Sequence, residues 1–319
     1  MYLCAIFFYM SVIVSVQHLH KQFDGVKAVN DLSFTVNEGD VYGFLGQNGA
    51  GKSTTIRMML TLIKADSGSI RIFDKDLADH RNEILQQTGA IIERPDMYKY
   101  LSAYDNLSIF ARLSGLNISK KILMDQLDKV GLSDRAGSKV KTFSQGMKQR
   151  LGIAIALVHD PRLIVLDEPT NGLDPQGIAD MRKLIINLSR EHGKTVIVSS
   201  HLLSEIEIMA NRMIVIDKGK KIAEGSVNEM LDPSSTIVQL ETTNDEQARH
   251  LLARSAWASS LEESTVALRF RMDKNDIPQL AQWLIQQNIG IIALQPKHSL
   301  EDYFLSLTNA ENNVEPVSN

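Results

Sequence analysis

Eight residues decide the fold of this chain: Gly46-Gln47-Asn48-Gly49-Ala50-Gly51-Lys52-Ser53. They match the pattern G-x-x-x-x-G-K-[ST], whose glycines let the backbone curl so that its N–H groups converge on phosphate oxygens at a helix N-terminus. A short apolar strand is predicted before the run, over Gly39–Leu45, and a helix is predicted from Lys52, with one face formed by Ile56, Met59, Leu60 and Ile63. The run is therefore predicted to be a phosphate-binding loop between a strand and a helix.

Two side chains of this loop have expected roles. Lys52 should reach the β- and γ-phosphates of a nucleotide, and Ser53 should coordinate Mg²⁺. Thr54, the next residue, is included in the predicted nucleotide-binding set together with the rest of the loop. The alternative is a chance glycine-rich turn that binds nothing.

A second feature is an apolar strand that ends in two carboxylates, Leu163–Leu166 followed by Asp167 and Glu168. Acidic side chains at such a strand end lie at the mouth of a sheet, where Mg²⁺ and phosphate would bind. Asp167 is predicted to hold the metal through water, and Glu168 to act as general base on the attacking water. Taken alone, the pair could be no more than a capped strand end.

Around these motifs, strands and helices alternate, which predicts an α/β layer structure over residues 14–231. Its further predicted strands are Gly68–Phe73, Thr88–Ile92 and Thr195–Ser199, and its helices are Asn106–Leu113, Lys120–Val130, Gln145–Val158 and Ile178–Glu191. The helical stretch over about 95–159 is predicted to be an inserted subdomain.

A turn-rich linker at 231–235 precedes a different pattern. The predicted order is strand Thr236–Glu241, helix Asp245–Arg254, strand Val266–Arg271, helix Asp276–Gln287, strand Ile289–Leu294 and helix Leu300–Leu307. This order predicts a small α+β accessory domain over 236–308. The polar tail at 309–319 is predicted to be disordered.

Composition restricts the function further. The chain has 34 basic and 38 acidic residues, a formal charge of −4 that does not suggest a nucleic-acid partner. The single cysteine, Cys4, excludes an internal disulfide. Residues 1–13 are predicted to be a loose extension from an upstream start codon, with a membrane anchor as the alternative. No other segment is apolar enough to span a bilayer.

Three further motifs stand in the order that ABC ATPases show. The run Phe143-Ser144-Gln145-Gly146-Met147-Lys148-Gln149-Arg150 precedes the acidic strand as the ABC signature does, Asn171-Gly172-Leu173-Asp174 resembles the D-loop, and Ser200-His201 resembles the switch histidine. With the loop and the acidic strand, these motifs cover most of the chain from Val14 to about Met230. The sequence thus resembles the ABC ATPase family, which implies a P-loop ABC domain that binds ATP and Mg²⁺.

The resemblance also implies composite sites in a dimer. ATP on the Lys52 loop of one subunit would be closed over by Ser144, Gln145 and Gly146 of the other, where the helix N-terminus after Ser144 would present donors to the γ-phosphate. The usual signature has glycine in place of Gln145, a departure also found in members that resemble drug and peptide exporters. A simple helix cap at Ser144 is the alternative.

Three other residues are assigned by their position in the family pattern. His201 would contact the γ-phosphate and complete the catalytic pair with Glu168, Asp174 would lie at the dimer interface, and Phe23 would stack on adenine. The alternatives are an ordinary strand-end histidine, a turn residue and a core aromatic, respectively.

Glu93 departs from the family pattern, since most ABC ATPases carry a glutamine there that links the metal site to the membrane partner. A carboxylate adds charge beside Mg²⁺ and phosphate, so Glu93 joins Ser53 and Asp167 as a predicted metal contact. The same replacement resembles transporters that protect bacteria against bacitracin and lantibiotic peptides. Neutral drift or a solvent-exposed pair with Arg94 is the alternative.

The sequence therefore predicts the ATP-hydrolysing subunit of an ABC transporter. Its expected partners are a second copy or another ATPase subunit and a separate transmembrane permease, which would hold it peripherally at the cytoplasmic face of the cell membrane. Export is favoured because the ending from Ser299 to Phe304 resembles exporter motors of the drug and antibiotic-resistance type. An importer motor and a non-transport ABC ATPase are the alternatives, although a DNA-organising relative would need a coiled coil in the interval from Lys52 to Ser144.

Overall fold

The computed structural model describes residues 11–93, 96–230, 236–262 and 268–297. These residues form two compact units, with the boundary between Ser226 and Val227. The predicted helix at 300–307, the predicted tail and residues 1–10 of the predicted extension lie outside them. In the described ranges, no helix is long and apolar enough to cross a membrane.

The first unit contains ten strands and seven α-helices among its described residues. The strands are β1 (Val12–Phe23), β2 (Val26–Asn37), β3 (Val41–Leu45), β4 (Ser67–Ile72), β5 (Lys75–Asp76), β6 (Thr88–Ile91), β7 (Leu163–Leu166), β8 (Thr195–Ser200), β9 (Arg212–Asp217) and β10 (Lys220–Ser226). The helices are α1 (Lys52–Met59), α2 (Arg81–Leu85), α3 (Ala103–Leu113), α4 (Lys120–Lys129), α5 (Gln145–Ala156), α6 (Pro175–Arg190) and α7 (Leu203–Met209).

Two sheets organise this unit. The first has the order β10-β9-β3-β8-β7-β6, in which β9, β3, β8, β7 and β6 run parallel and β10 is an antiparallel edge. Every residue of β3, β7 and β8 is buried, as expected for parallel strands covered on both faces. The second sheet is antiparallel with the order β2-β1-β4-β5. The predicted α/β fold is confirmed.

One hydrophobic core joins the two sheets. Phe34 of the antiparallel sheet meets Phe44 of the parallel sheet edge-on, with ring centroids 4.9 Å apart, and stacks near Tyr42 at 5.9 Å. All three rings are buried, and burying a phenylalanine contributes about 1.5–3 kcal/mol to stability. This packing holds the parallel strands, and hence the loops at their ends, in fixed positions.

The helical stretch lies within the region predicted to be an inserted subdomain. Helices α3, α4 and α5 pack on one another. Ser102 and Asp105 form a capping box at the start of α3, which satisfies the free N–H groups of its first turn. Ser119 caps α4, where its hydroxyl accepts from Ile122 N.

Among its described residues, the second unit contains a four-stranded antiparallel sheet and three α-helices. Its elements are α8 (Val227–Met230), β11 (Thr236–Thr242), α9 (Asp245–Leu252), β12 (Leu261–Glu262), β13 (Leu268–Met272), α10 (Ile277–Gln286) and β14 (Ile291–Lys297). The sheet order is β12-β13-β11-β14, which is a split βαβ arrangement. Its own core includes Val238, Leu252, Phe270 and Leu284.

The structure differs from the sequence prediction in several elements. Strand β2, which forms a hairpin with β1, was not predicted. A bulge at His18 in β1 and another at Asp31 in β2, both with positive φ, interrupt the alternation of apolar and polar residues along the two strands. Helix α1 ends at Met59, so Ile63 is not on its face; Thr61 has positive φ, which no helix continues. Strand β1 begins at Val12, two residues inside the predicted extension.

Candidate active site

Four neighbouring parallel strands bring the motif residues to one edge of the sheet. In the spatial order β3, β8, β7, β6, the segments after their carboxyl ends begin with Gly46, His201, Asp167 and Ile92. Because β8 lies between β3 and β7, the residues after it lie between the phosphate loop and the acidic pair. Carboxyl ends of parallel strands are where open α/β sheets bind ligands.

The phosphate loop has the backbone geometry that its glycines allow. Gly51, immediately before α1, has φ of 106°, and a Cβ there would lie 2.5 Å from Ala28 O. Only glycine fits such a position. Gly51 also has no side chain with which to cap α1, so the helix N-terminus is open to an anion.

The other loop residues lie between β3 and the first turn of α1. Gln47, Asn48, Gly49 and Ala50 form the turn between β3 and α1, and Ser53 and Thr54 lie on the first turn of α1.

Lys52 is buried beneath this loop, with only 5% of its side chain exposed. Its Nζ donates to Gly46 O at 2.6 Å and to Gln47 O at 3.3 Å. The same nitrogen lies 3.2 Å from Glu168 Oε1, close enough for a strong electrostatic attraction without an aligned hydrogen bond. The predicted phosphate lysine and the predicted base are therefore direct neighbours.

Glu168 is fixed from both sides. Its Oε2 lies 2.9 Å from His201 Nδ1, and its backbone N–H donates to Ser199 Oγ at 2.9 Å. Ser199 Oγ in turn donates to Asp167 Oδ1 at 2.6 Å. Glu168 also has φ of 48°, an uncommon conformation for a residue with a side chain, which is held by these contacts. The structure thus brings Lys52, Glu168 and His201 into one cluster.

A cleft of about 390 Å³ opens beside this cluster. It is lined by Ser53, Glu93, Gln145, Gln149, Asp167, Glu168, Asn171 and Gly172. Gln149 Oε1 is a buried oxygen with no hydrogen-bond donor within the described part of the chain, and Glu168 Oε1 has the Lys52 ammonium as an ion-pair partner but accepts no aligned hydrogen bond there. The cleft is therefore rich in oxygen acceptors that a cation could satisfy.

The residues that line this cleft suit Mg²⁺ better than a metal ion whose ligands all come from the protein. In the described ranges, no group of three or more His, Cys, Asp or Glu side chains is arranged to hold a metal ion. Mg²⁺ usually takes one or two protein oxygens and completes its shell with water and substrate phosphates. Ser53 and Asp167, on the wall of the same cleft, could supply that pair.

Glu93 has a partner that the sequence reasoning missed. Its carboxylate forms an ion pair with the guanidinium of Arg57 on α1, while its side chain remains 67% exposed. Glu93 also has φ of 61°. The predicted alternative partner, Arg94, lies outside the described residues. Glu93 therefore connects the segment after β6 with the helix that carries the phosphate loop.

The signature and D-loop motifs are divided between two clefts: Gln149, Asn171 and Gly172 line the first, and other residues of both motifs line a second, smaller cleft of about 170 Å³. Its lining includes Ser144, Gly146 and Asp174 but none of the phosphate-loop residues. Ser144 Oγ caps α5 by accepting from Met147 N at 3.2 Å, and Asp174 Oδ1 caps α6 by accepting from Gly177 N at 3.2 Å. Within the chain, both side chains thus act as helix caps. Gln145 faces the first cleft instead.

Phe23 lies at the end of β1 with 43% of its surface exposed, so it is not a core aromatic. The ammonium of Lys21 lies 5.1 Å from the centroid of its ring. An exposed ring on a rigid strand end is available for stacking.

Comparisons with known proteins identify the family. Residues 29–171 match the family model described as ABC transporter. The chain is 40% identical over 301 residues to the uncharacterized ABC transporter ATP-binding protein YhcH of Bacillus subtilis (strain 168), covering 94% of this chain and 97% of the relative. It is 39% identical over 300 residues to the bacitracin transport ATP-binding protein BcrA of Bacillus licheniformis, covering 93% and 98%.

A solved structure shows the same fold. The structure of cbiO1 from Clostridium perfringens, part of the ABC transporter complex cbiONQ, matches 76% of this chain and 96% of that chain with a TM-score of 0.64 at 25% identity.

Proposed function

The chain belongs to the family of ABC transporter ATP-binding proteins and is an ATPase coupled to transport, and on this premise we propose that it drives export through a separate transmembrane permease. The ATPase activity in this proposal is supported by the cluster of Lys52, Glu168 and His201 at the open N-terminus of α1. The permease would hold the chain at the cytoplasmic face of the membrane.

The proposed reaction assigns one task to each side chain of the cluster. Lys52 binds β- and γ-phosphate oxygens, for which it must exchange its present contacts with Gly46 O and Glu168. Glu168 accepts a proton from a water molecule whose oxygen attacks the γ-phosphorus, while the bond from that phosphorus to the β–γ bridging oxygen breaks. The products are ADP and phosphate. His201 orients the Glu168 carboxylate through its Nδ1 contact.

The proposed metal is Mg²⁺, held by Ser53 and Asp167, with Glu93 able to approach from the same cleft. When bound, Mg²⁺ would neutralise phosphate charge. Ser199 fixes the orientation of Asp167 by donating to its Oδ1. Phe23 is proposed to stack on the adenine ring, because its exposed ring offers a flat apolar face to a base.

We further propose that the working unit is a dimer with composite sites. The phosphate-loop cleft and the cleft of Ser144, Gly146 and Asp174 are separate within one chain. A nucleotide on Lys52 of one copy would therefore meet Ser144 of the other copy. A twofold-symmetric pair would complete both sites at once.

Antibiotic peptides of the bacitracin kind are the proposed cargo class. The support is the similarity to BcrA of Bacillus licheniformis, named for bacitracin transport, which extends over 93% of this chain. Glu93, with its carboxylate beside the proposed metal cleft, is the residue of this chain that we connect to that class.

The dimer proposal is tested by the concentration dependence of ATP turnover. For the purified subunit with Mg²⁺ and saturating ATP, the rate should rise more than linearly with protein concentration, because each site needs two chains. Light scattering at each concentration would report the dimer fraction. Turnover proportional to concentration for a chain that stays monomeric would refute the composite sites but leave the ATPase assignment intact.

A further inference from the structure

Three consecutive residues at the end of β8 each contact a different acidic side chain. Ser199 donates to Asp167, His201 contacts Glu168, and Ser200 donates to Glu205. The first two acids belong to the proposed chemistry. Glu205, on α7, belongs to no motif that the sequence analysis singled out.

Glu205 is a buried carboxylate that joins two segments. Only 3% of its surface is exposed. Its Oε2 accepts from Ser200 Oγ at 2.9 Å and from Thr170 Oγ1 at 2.6 Å. A carboxylate removed from water is costly unless donors satisfy it, so these two hydroxyls are strongly constrained to remain in place.

Helix α7 provides a rigid base for this carboxylate. It packs so closely on β3 that a Cβ at Gly43 would lie 2.4 Å from Ile206 Cγ2. Ile206 is completely buried beside Glu205. The part of α7 that carries Glu205 therefore cannot shift toward β3, the strand that leads into the phosphate loop.

The second donor, Thr170, begins the turn that leads to Asp174. Asn171 N donates to Glu168 O at 3.1 Å, and Leu173 N donates to Thr170 O at 3.2 Å. The turn is therefore hydrogen-bonded to the backbone of Glu168 and Thr170. One end of the turn is thereby tied to Glu205. Its other end is Asp174, which lines the same cleft as Ser144.

We propose that Glu205 is a positioning residue that holds the Thr170–Asp174 turn in register with Ser200 and His201. Through this link, the catalytic cluster of one chain is rigidly connected to the surface that the second copy would contact. This inference rests on the proposed dimer. It predicts that loss of the link slows hydrolysis and dimer closure while nucleotide binding to the Lys52 loop persists.

The test compares Glu205→Ala with Glu205→Gln. Glutamine removes the charge but keeps an oxygen that can accept from both Thr170 and Ser200, whereas alanine removes the acceptor. We expect Glu205→Ala to lower kcat about tenfold or more with KM changed less than about threefold, and Glu205→Gln to recover kcat to within about threefold. Glu191→Ala, at an exposed glutamate after α6, is the matched control.

A second variant covers the case in which Glu205→Ala does not fold. Thr170→Val removes only the hydroxyl that ties the turn and leaves the Ser200 contact. We expect it to lower kcat and to reduce the ATP-dependent dimer in a Glu168→Gln background, measured by size-exclusion chromatography. Unchanged kcat in Thr170→Val, or equal losses in the alanine and glutamine variants of Glu205, would overturn the proposal. If Glu168→Gln alone forms no ATP dimer, the composite-site proposal fails, and the kcat comparison still decides the role of Glu205.

Discussion

The two clefts that carry the motif residues are built in different ways. Around Lys52 and Glu168, buried side chains contact one another across strands that are far apart in the sequence. Around Ser144 and Asp174, the hydrogen bonds seen among the described residues cap the helix that each side chain begins. The first cleft is organised within one chain, while the second presents helix N-termini outward. This difference supports our proposal that the chain contains a chemical centre and, separately, a surface that would complete the centre of another chain.

The largest effect is expected at the base of the first cleft. Glu168→Gln should lower kcat by at least about 100-fold, because an amide cannot accept the proton of the attacking water. The ATP Kd should change by only a few-fold, since the shape of the side chain persists, and an ATP-bound dimer should accumulate. Steady-state turnover and equilibrium binding are the measurements. Near-normal turnover would exclude Glu168 as the base and direct attention to His201.

Lys52 should instead affect binding. Lys52→Ala removes a buried ammonium, whose charge-assisted hydrogen bonds to phosphate are worth about 1.5–3 kcal/mol, so the ATP Kd should rise by roughly 10- to 100-fold. Fluorescent nucleotide titration measures this change. Lys64→Ala, at an exposed lysine after α1, is the control. An unchanged Kd would mean that Lys52 serves the fold and Glu168 rather than the nucleotide.

A mixing experiment tests whether the two clefts belong to one site. Ser144→Asp keeps a good helix cap but adds a charge that repels phosphate, so it should fold normally and lose turnover. An equimolar mixture of Lys52→Ala and Ser144→Asp chains should recover about a quarter of wild-type turnover, since half of the dimers contain one intact site of two.

The matched control for that experiment is Ser119→Asp, which alters the equivalent cap of α4 at a residue that lines neither cleft. It should retain full activity. If the mixture only averaged the rates of its two components, the clefts would have to act within one chain.

Glu93 lies at the border of the first cleft, where a smaller effect on chemistry is expected. Glu93→Ala should lower the peptide tolerance of cells that carry the subunit and its permease more than it lowers basal turnover, and Glu93→Gln should be milder because an amide oxygen can still orient water or bind Mg²⁺. Arg57→Gln breaks the ion pair but keeps the carboxylate. The exposed pair contributes at most about 1 kcal/mol, so thermal stability should barely change in these variants.

The balance of losses decides the role of Glu93. Equal losses of tolerance and turnover would assign Glu93 to metal chemistry alone. If Glu93→Ala lowered neither tolerance nor turnover, the glutamate at this position would be a neutral replacement of the family's glutamine.

The smallest effect is expected at His159, which lines neither cleft and should affect the pH dependence of stability rather than turnover. Burial lowers the pKa of His159 below its ordinary 6.5, and this outweighs the hydrogen bond with Thr88 O, which raises it. The folded chain thus favours the neutral ring. The stabilising contribution is present above about pH 6.5 and is lost as pH falls toward the lower folded pKa, because the unfolded chain takes up the proton first.

His159→Gln should reduce this acid dependence of the unfolding free energy and leave turnover at neutral pH unchanged. Denaturant unfolding at several pH values measures it, with His192→Gln at an exposed histidine as control. An unchanged pH slope in His159→Gln would mean that other groups govern acid stability.

Several elements were predictable because their signals are local. Glycine spacing and the adjacent apolar run predicted the phosphate loop and the start of α1, and β7 has the predicted bounds Leu163–Leu166. The split βαβ order of the second unit was also visible as alternating runs, although the predicted helix at 300–307 lies outside the described residues. Local periodicity could not reveal β2, because its bulge at Asp31 shifts the alternation.

By itself the sequence determined the chemical inventory of this protein: a loop that admits phosphate, two carboxylates after a buried strand, and helix N-termini preceded by caps. These depend on backbone conformation and side-chain chemistry over a few residues. Only the tertiary structure decided which groups meet. Placing β8 between β3 and β7 brings His201 to Glu168, and packing α7 on β3 brings Glu205 to Thr170. Such contacts arise from strand order and burial, which are properties of the whole folded chain.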